Sequence, residues 1–464
     1  MFGGVKMDKI LQSCVEKHRQ LIADAFTYLW KNPETGYKEW KSHKYLADAF
    51  EKLGYKLTLA GDIPGFTAEL DTGRPGPTVA VFGELDGLYC PTHPEADPET
   101  GAVHACGHCA QVAALLGLAA GLKEPGAVDS MSGKILLVVV PAEELIEIGY
   151  REELRKKGII KYFGGKPEFL HRGLLDGVDM CFMLHSGAGK DAGVGRVGGR
   201  GTNGCMTKEV VFHGKSAHAG GSPHKGINAL YAANQAMSAI NALRETFQDN
   251  DHIRVHPILT AAGESVNAIP DRVVLECYVR GADAKSIKEA NDKVNRAIAG
   301  SALALGASVT ISDKHGYCPR IYDRELLKVT NEAMNMAMNE TIFDENGWGT
   351  GCSDLGDMSM LMPAVHPGFY GAVGTGHGSD YVFPDGGLSC LYAAKTQIVM
   401  LWLLLRDEAA RAKMIIEGFK PTFASKEEYF AFADAMTACW DAVSYREDGS
   451  VVLLLQADTV NQKT

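Results

Sequence analysis

The chain has 464 residues, a net charge of −11 and 46% hydrophobic residues, so it is globular and too long for a single ordinary core. An acidic chain without a block of lysines and arginines excludes a nucleic-acid-binding role on electrostatic grounds, so we expect no nucleic-acid partner. Residues 1–10 are too polar for a secretory signal, and the longest apolar run, residues 397–405, is too short to span a bilayer. Eleven cysteines without such a signal favour reduced thiols in a cytoplasmic protein that has no membrane partner.

The first half of the chain predicts alternating helices and buried strands. Residues 8–55 have the apolar spacing of helices, residues 78–82 predict a short buried strand, and residues 90–103, with four prolines or glycines, predict a loop. Residues 111–121 predict a buried helix, and residues 134–140, which are apolar on both faces, predict a central parallel strand. Two more strands are predicted at residues 179–184 and 369–373. This order indicates an α/β fold with a mostly parallel sheet and helices on both faces.

The pattern changes between about residues 203 and 315, where one-sided strands alternate with helices and predict a small α+β domain. The strands are expected at residues 206–213 and 271–280, and the helices at residues 224–245 and 284–305. We therefore expect a catalytic domain in two parts, residues 1–202 and 316–464, interrupted by a lid or dimerisation domain at residues 203–315. An extension from about residue 415 contains the capping-box sequence Ser425-Lys-Glu-Glu428 and a candidate edge strand at residues 451–455, with no function that the sequence indicates.

Five side chains that a divalent metal accepts as ligands lie where apolar runs stop and glycine-rich turns begin. They are Cys106, His108, Glu144, His185 and His377. A strand that ends in a ligand presents it at the carboxyl edge of the sheet, where the clefts of open α/β folds form. For an isolated Cys-Gly-His the alternative is a buried cysteine beside a hydrogen-bonded histidine, and for each lone histidine it is a capping or core residue. The coincidence of all five donors at such places favours a metal site.

Two adjacent carboxylates, Glu143 and Glu144, follow the strand at residues 134–140. Because neighbouring side chains point in different directions, one carboxylate can bind metal while the other accepts a proton from water as general base. A surface loop with two glutamates is the alternative. Glu84 and Asp86 end another strand, and we expect Asp86 to orient a ligating histidine. For Glu84 a ligand, a supporting partner and a turn residue all stay open.

The chain contains, in this order, the motifs Glu-Leu-Asp, His-Ala-Cys-Gly-His, Pro-Ala-Glu-Glu, Leu-His and a late Gly-His. With these motifs the chain resembles the aminoacylase/carboxypeptidase family of dinuclear metallo-amidohydrolases over about residues 20–410. The chain is most similar to the branch with hippurate hydrolase, auxin-conjugate hydrolases and aminobenzoyl-glutamate hydrolase. The resemblance implies that the five donors above hold one or two divalent ions, Zn or Mn, with Glu143 as general base. The family usually has Asp or Asn where this chain has Cys109, an additional thiol able to alter metal preference or to weaken one of the two sites.

The resemblance also implies roles for residues of the inserted domain. His218 would reach across a dimer interface to stabilise the oxyanion, and Asn267 and Arg280 would hold a substrate carboxylate. Taken alone, His218 and Asn267 also fit ordinary turn positions, and Arg280 also fits a surface ion pair with Glu276 on the same strand face.

These features predict a metal-dependent hydrolase that cleaves the amide bond of N-acyl or N-aroyl amino acids or similar conjugates by metal-activated water. A metallo-dipeptidase or aminopeptidase, which needs a free α-amine, is an alternative. A catalytically silent member that binds an acylated metabolite is another. The expected partners are a small-molecule substrate and a second copy of the chain, bound through the inserted domain.

Overall fold

The structure is a computed structural model that describes residues 7–456. The chain divides into two compact units. Among the described residues, the first unit comprises residues 7–201, Ile321–Gly347 and Ser353–Ala424, and the second unit comprises Thr202–Arg320, Trp348–Cys352 and residues 425–456.

Helices and strands alternate along the first unit and along much of the second. The helices are, in chain order, α1 Met7–Glu16, α2 Arg19–Lys31, α3 Trp40–Lys52, α4 His108–Leu122, α5 Ile148–Lys156, α6 Gly165–His171, α7 Ala229–Ala242, α8 Ala284–Ala304, α9 Arg324–Ala337, α10 Leu355–Ser359, α11 Gly386–Gly418 and α12 Lys426–Ala435. The strands are β1 Leu57–Leu59, β2 Phe66–Asp71, β3 Thr78–Glu84, β4 Leu88–Tyr89, β5 Ala102–Val103, β6 Lys134–Val140, β7 Met180–Phe182, β8 His185–Ala188, β9 Val194–Gly198, β10 Gly201–Thr202, β11 Gly204–His213, β12 Arg254–Ala261, β13 Arg272–Gly281, β14 Ser308–Tyr317, β15 Arg320–Ile321, β16 Glu340–Asp344, β17 Trp348–Gly349, β18 Ala364–Val365, β19 Gly368–Ala372, β20 Ala438–Tyr445 and β21 Val451–Leu453.

The first unit is built on a six-stranded sheet with the strand order β1-β2-β6-β3-β7-β18. Strand β3 runs parallel to β6 on one side and to β7 on the other, and β18 runs parallel to β7. Strands β1 and β2 form an antiparallel edge, and β2 is antiparallel to β6. The predicted mostly parallel α/β sheet is confirmed. Its order brings the carboxyl ends of β3, β6 and β7 to the same edge.

Helix α4 fixes the position of the Cys-Gly-His turn that precedes it. All of its residues are buried, which is the expected environment of a helix that is apolar on every side. It packs against β3, α2 and α11. Because the helix begins at His108, the end of the Cys-Gly-His turn is fixed to a fully buried helix.

A second sheet of the first unit was not foreseen. Its strand order is β16-β9-β19-β8. Residues 369–373, which the sequence suggested as a further strand of the main sheet, correspond to β19 and pair with β8 and β9 in this second sheet. The predicted strand is confirmed, but the pattern of an apolar strand does not specify which strands it pairs with. The main sheet is instead completed by β18, which is two residues long.

Helix α11 is long and apolar enough to cross a membrane by length and composition alone, but 78% of its most apolar window is buried within the protein. Its backbone departs from helical geometry at residues 406–409, so the apolar part is shorter than the whole helix. It packs against α4, α9, α2 and α1. This is the environment of a core helix.

The second unit has a sheet of strand order β12-β13-β11-β14-β20-β21, in which each strand is antiparallel to its neighbours. Helices α7 and α8 pack on β11 and β13 and bury the alternate apolar side chains of those strands. Helix α7 is shorter than the predicted residues 224–245, because Pro223–Lys225 forms a separate 3-10 turn and the Asn228 side chain caps the helix start by accepting from the Tyr231 N–H at 3.1 Å.

The carboxyl-terminal extension belongs to this second unit, whereas the sequence placed residues 316–464 in the catalytic domain. Helix α12 begins after Ser425, whose side chain accepts from the Glu428 N–H, in agreement with the capping-box spacing. Strand β20 then pairs antiparallel with β14, and β21 with β20. The correction has a physical reason: the outer edge of β14 supplies backbone partners that the local sequence of the extension could not reveal.

Tyr429 gives a test of how firmly the extension is attached. Its side chain is fully buried, with its ring 6.1 Å from the ring of His315, whereas Tyr445 in β20 is 41% exposed. We expect Tyr429→Ala to destabilise the protein by about 3–5 kcal/mol, because it leaves a large cavity. Tyr445→Ala should change stability by about 0.5 kcal/mol. Denaturant unfolding followed by circular dichroism measures both, and equal effects would contradict the packing described here.

Candidate metal centre

The turn that carries Cys106 and His108 is held in one conformation by its glycine. Gly107 has a φ of +89°, in the left-handed region that favours glycine, and it caps α4. A Cβ at this position would clash with the Ser186 hydroxyl. That hydroxyl donates towards the carbonyl oxygens of Cys106 and Gly107, at 3.2 and 3.3 Å. Substitution of Gly107 would therefore disturb both donors at once.

The five side chains predicted as metal ligands come together in two overlapping groups. The ligand atoms of Cys106, His108 and His185 all lie within 4.8 Å of one another, and so do those of Cys106, Glu144 and His377. Cys106 Sγ is 3.4 Å from His185 Nε2, and His377 Nε2 is 3.2 Å from Glu144 Oε1. Because Cys106 belongs to both groups, the arrangement suits two adjacent cations that share the thiolate.

Two buried ligand atoms in the centre lack a well-oriented hydrogen bond and fit a cation. They are His108 Nε2 and Glu144 Oε1, whose nearest ionisable neighbours, Glu84 Oε2 and His377 Nε2, each lie 3.2 Å away. Such atoms are costly in a protein interior unless something satisfies them. Imidazole nitrogen, carboxylate oxygen and thiolate sulfur are all donors that divalent transition metals accept. The residues present therefore fit the metal that the donor pattern implies.

Asp86 holds two of the donors in place. Its main-chain oxygen lies 2.9 Å from His108 Nδ1 and its Oδ1 lies 3.2 Å from the same atom, which leaves Nε2 to face the other donors. Its Oδ2 accepts from the Glu144 N–H at 2.8 Å. This is the geometry expected of a carboxylate that orients a ligating histidine.

Glu143 lies beside the donor groups without belonging to either of the two cysteine-centred ones. It is buried, and its Oε2 is 3.8 Å from His108 Nε2. Burial raises the pKa of Glu143 well above its usual range, and the neighbouring Glu84 and Glu144 raise it further. A carboxylate with a raised pKa close to the ligands is suited to accept a proton.

Two of the ligand side chains, Cys106 and Glu144, favour the negatively charged form that attracts a cation. Burial and Glu144 raise the pKa of Cys106, but His108 and His185 outweigh them and bring it to about 6. Burial likewise raises the pKa of Glu144, and His377 together with His108 lowers it to about 2. Hydrogen bonds to Cys106 and Glu144 raise the pKa of His377 to about 11. In the metal-free protein His377 therefore holds a proton that a cation must displace.

Sequence reasoning missed a buried ion cluster next to this centre. Lys166 is fully buried and its Nζ contacts the carboxylates of both Glu84 and Asp354. The other oxygen of Glu84 accepts from Gln111 Nε2 at 2.8 Å and lies 3.2 Å from His108 Nε2. The sequence left the role of Glu84 open. The structure places its carboxylate between Lys166 and His108, next to the donor groups. No local pattern distinguishes Lys166 from a surface lysine, so only the fold could reveal it.

Cys109 does not take the part that the sequence suggested. It is fully buried in the core of the first unit. Burial raises the pKa of its thiol far above the usual range, which disfavours the thiolate that a metal would need. Among the described residues, none of the donor groups includes it. The structure gives Cys109 a packing role.

The three predicted residues of the inserted domain lie in the second unit. Nδ1 of His218 accepts from the N–H groups of Gly220 and Gly221, at 3.1 and 2.9 Å, so the hydrogen of a neutral ring is on Nε2. The main-chain oxygen of Asn267 accepts from the Ala219 N–H at 2.9 Å, which places the loops of His218 and Asn267 side by side.

Arg280 lies on β13 with its guanidinium 5.2 Å from the ring of Tyr278. Its expected alternative partner, Glu276, accepts a hydrogen bond from the Thr260 side chain. Burial and the nearby Glu209 raise the pKa of Glu276, which weakens the case for a simple ion pair between Glu276 and Arg280.

Strand-end donors at the carboxyl edge of an α/β sheet, with an extra carboxylate beside them, define a metal-dependent hydrolase. Residues 200–303 match the peptidase dimerisation domain. The chain is 27% identical to the Xaa-Arg dipeptidase of Mus musculus, over 86% of this chain and 88% of that protein. It is 29% identical to the indole-3-acetyl-aspartic acid hydrolase of Enterobacter agglomerans, over 60% of this chain and 70% of that protein.

The fold is shared with solved structures as well. A dinuclear metal-binding peptidase from Bacillus subtilis superposes with a TM-score of 0.62 at 20% identity, over 84% of this chain and 99% of that one. The chain is therefore similar to metal-dependent peptidases and amidohydrolases, in agreement with the family resemblance of its motifs.

Because Cys106 is shared by both donor groups, its removal should affect every bound cation. We expect Cys106→Ser to weaken binding at both positions by more than the roughly 10–100-fold that loss of an outer partner typically costs. His377→Asn should weaken only one position, since His377 belongs to one group. Equilibrium dialysis with metal analysis measures stoichiometry and affinity. Loss of a single cation in both variants would contradict a shared thiolate.

Proposed function

We propose that the chain hydrolyses the amide bond of N-acyl or N-aroyl amino acids or similar conjugates. The observation that carries this proposal is the position of Glu143, a buried carboxylate outside the two cysteine-centred donor groups. It lies close to Glu84 and His108, and its Oε2 is 3.8 Å from His108 Nε2. The relative named indole-3-acetyl-aspartic acid hydrolase supports a conjugate of an acyl group with an amino acid as the substrate class.

Each residue of the centre has a part in the proposed reaction. One or two divalent cations would be held by the five donors Cys106, His108, Glu144, His185 and His377. A bound cation of this kind would polarise a carbonyl and lower the pKa of water to about 7. Glu143 takes the proton from the attacking water on a carboxylate oxygen and passes it to the departing amine nitrogen. Asp86 keeps His108 in the tautomer that directs Nε2 towards the cation.

The remaining residues of the proposed reaction lie in the second unit. His218 would donate from Nε2 to the oxyanion of the tetrahedral intermediate, across the interface of a homodimer, and a donor of this kind is typically worth about 3 kcal/mol of barrier. Asn267 and Arg280 would hold the substrate carboxylate. The match of residues 200–303 to a peptidase dimerisation domain supports the homodimer. Zinc or manganese is the cation we propose, and cytoplasm the compartment.

A dipeptidase activity is the second candidate, because the Xaa-Arg dipeptidase relative is matched over 88% of its length. A dipeptidase substrate presents a free α-amine, whereas a conjugate presents an acylated one. A catalytically silent member would not need the Glu143 and Glu144 pair that this chain keeps.

The role of Glu143 can be tested by replacing its carboxylate with an amide. Glu143→Gln should bind the cation as the unchanged protein does and lose about 10²–10⁴-fold in kcat, because the amide cannot accept the proton. Glu144→Gln is the matched control one residue away, and it should lose cation affinity instead. Metal analysis and steady-state kinetics on both variants separate the two roles. A Glu143→Gln variant that retained most of its turnover would rule out Glu143 as the base.

The substrate class needs matched pairs of substrates. Acetylated or benzoylated amino acids and the corresponding dipeptides with a free α-amine should be assayed with Zn²⁺ or Mn²⁺ added, and the released amines measured. We expect kcat/KM to be higher for the acylated member of each pair. A preference for the free-amine dipeptides would favour the second candidate.

A further inference from the structure

The turn that presents Glu143 and Glu144 has a backbone conformation that its sequence alone does not favour. Ala142 has a φ of +60°, in the left-handed region that is uncommon for residues with a Cβ. Residues held there cost of order 1–3 kcal/mol and persist only when the surroundings impose them. The turn follows the central strand β6 directly. Something outside the turn must therefore hold it.

Two buried side chains, those of Glu39 and Arg151, hold the peptide groups on either side of Ala142. Glu39 Oε1 accepts from the Ala142 N–H at 2.8 Å. Arg151 Nη1 donates to the Ala142 carbonyl oxygen at 3.2 Å, and Arg151 Nη2 donates to the Glu144 carbonyl oxygen. Glu143 lies between these held groups.

The arginine is itself fixed from several directions. It is 1% exposed, its Nη1 also donates to the Phe163 carbonyl oxygen at 2.6 Å, and its guanidinium lies 5.6 Å from the ring centre of Tyr37. A Cβ at Gly36 would clash with Arg151 Nη2, so the chain leaves just enough room for the guanidinium. The guanidinium of Arg151 is thus held in one orientation, with its N–H groups directed at main-chain carbonyl oxygens.

The burial of Arg151 has a cost in free energy. Removing a guanidinium from water is expensive, and an apolar side chain of similar volume is often as stable or more stable at a buried position. Here Arg151 donates to three main-chain carbonyl oxygens, and two of the three belong to the turn with Glu143 and Glu144. A charge placed at such cost is better explained by the geometry that it imposes than by stability alone.

We propose that Arg151 and Glu39 are positioning residues that hold Glu143 in place for proton transfer and Glu144 in place for the cation. The inference rests on the proposed function of Glu143. It concerns residues 39 and 151, which lie outside the donor groups and form no part of the sequence motifs.

The test compares substitutions that remove the hydrogen bonds with substitutions that keep some of them. Arg151→Met and Glu39→Met remove the bonds at similar volume, whereas Arg151→Lys keeps one donor and Glu39→Gln keeps an acceptor. Arg155→Met, on the same helix α5 and partly exposed, is the matched control. Each variant is measured for kcat, KM, thermal unfolding and Co²⁺ affinity, the last from the absorption bands that report ligand geometry.

We expect Arg151→Met to lose about 100-fold in kcat with little change in KM, because a misplacement near 1 Å is enough for such a loss. Its Co²⁺ affinity should fall about 10–100-fold, as is typical when an outer partner of a ligand is lost. Glu39→Met should change in the same direction. Arg151→Lys and Glu39→Gln should each regain part of the loss, and Arg155→Met should match the unchanged protein.

Folded Arg151→Met and Glu39→Met variants with unchanged kcat and Co²⁺ affinity would overturn the proposal. If Arg151→Met does not fold, the comparison of Glu39→Met with Glu39→Gln decides, and equal activity of those two would count against it. A failure of the proposed function looks different: Glu143→Gln would keep its turnover, while the Co²⁺ bands of the Arg151 and Glu39 variants would still report the position of Glu144.

Discussion

The metal centre depends on one buried carboxylate, that of Asp86. One of its oxygens lies 3.2 Å from His108 Nδ1, and the other accepts from the Glu144 N–H at 2.8 Å. A single side chain thereby fixes the ring orientation of one donor and the main-chain position of another. Because an unpaired buried carboxylate is very costly, the two contacts also stabilise each other. If either donor moved, Asp86 would lose a partner that the interior cannot replace.

The sheet order is what brings these groups within reach. Strand β3, which precedes Asp86, lies between β6 and β7, and all three run in parallel. Their carboxyl ends meet at one edge, as in other open α/β sheets. Glu143 and Glu144 follow β6, and His185 follows β7 by three residues. Donors that are far apart along the chain thus converge without any long-range sequence signal.

Local patterns identified several of the elements and the candidate donors that the structure brings together. The apolar run at residues 134–140 predicts a strand, and β6 has those bounds. The Cys-Gly-His turn and the strand-end carboxylates are recognisable because each combines a ligand type with a turn signal. What could not be predicted are partners. Lys166 meets Glu84 and Asp354 only through the fold, and Arg151 looks like any helical arginine until its burial is known.

The same limit explains the carboxyl-terminal extension. Its helix start at Ser425 is a local signal and was recognisable. Strand β20 pairs with β14, more than a hundred residues earlier in the chain, and exposed strand edges are places where natural proteins add a cover. The pattern of β20 identifies a strand, but the edge that it covers is a property of the second unit as a whole.

The proposed chemistry of the centre rests on a difference between two neighbouring glutamates. Burial raises the pKa of both, but Glu144 has His377 3.2 Å away and its pKa falls to about 2. Glu143 has Glu84 and Glu144 as neighbours, and its pKa stays well above the usual range. When the surroundings push the pKa values of two carboxyl groups apart in this way, one site obtains both a permanent anion and a group that can accept and release a proton. The left-handed turn at Ala142 makes this division possible, because it directs consecutive side chains into different surroundings.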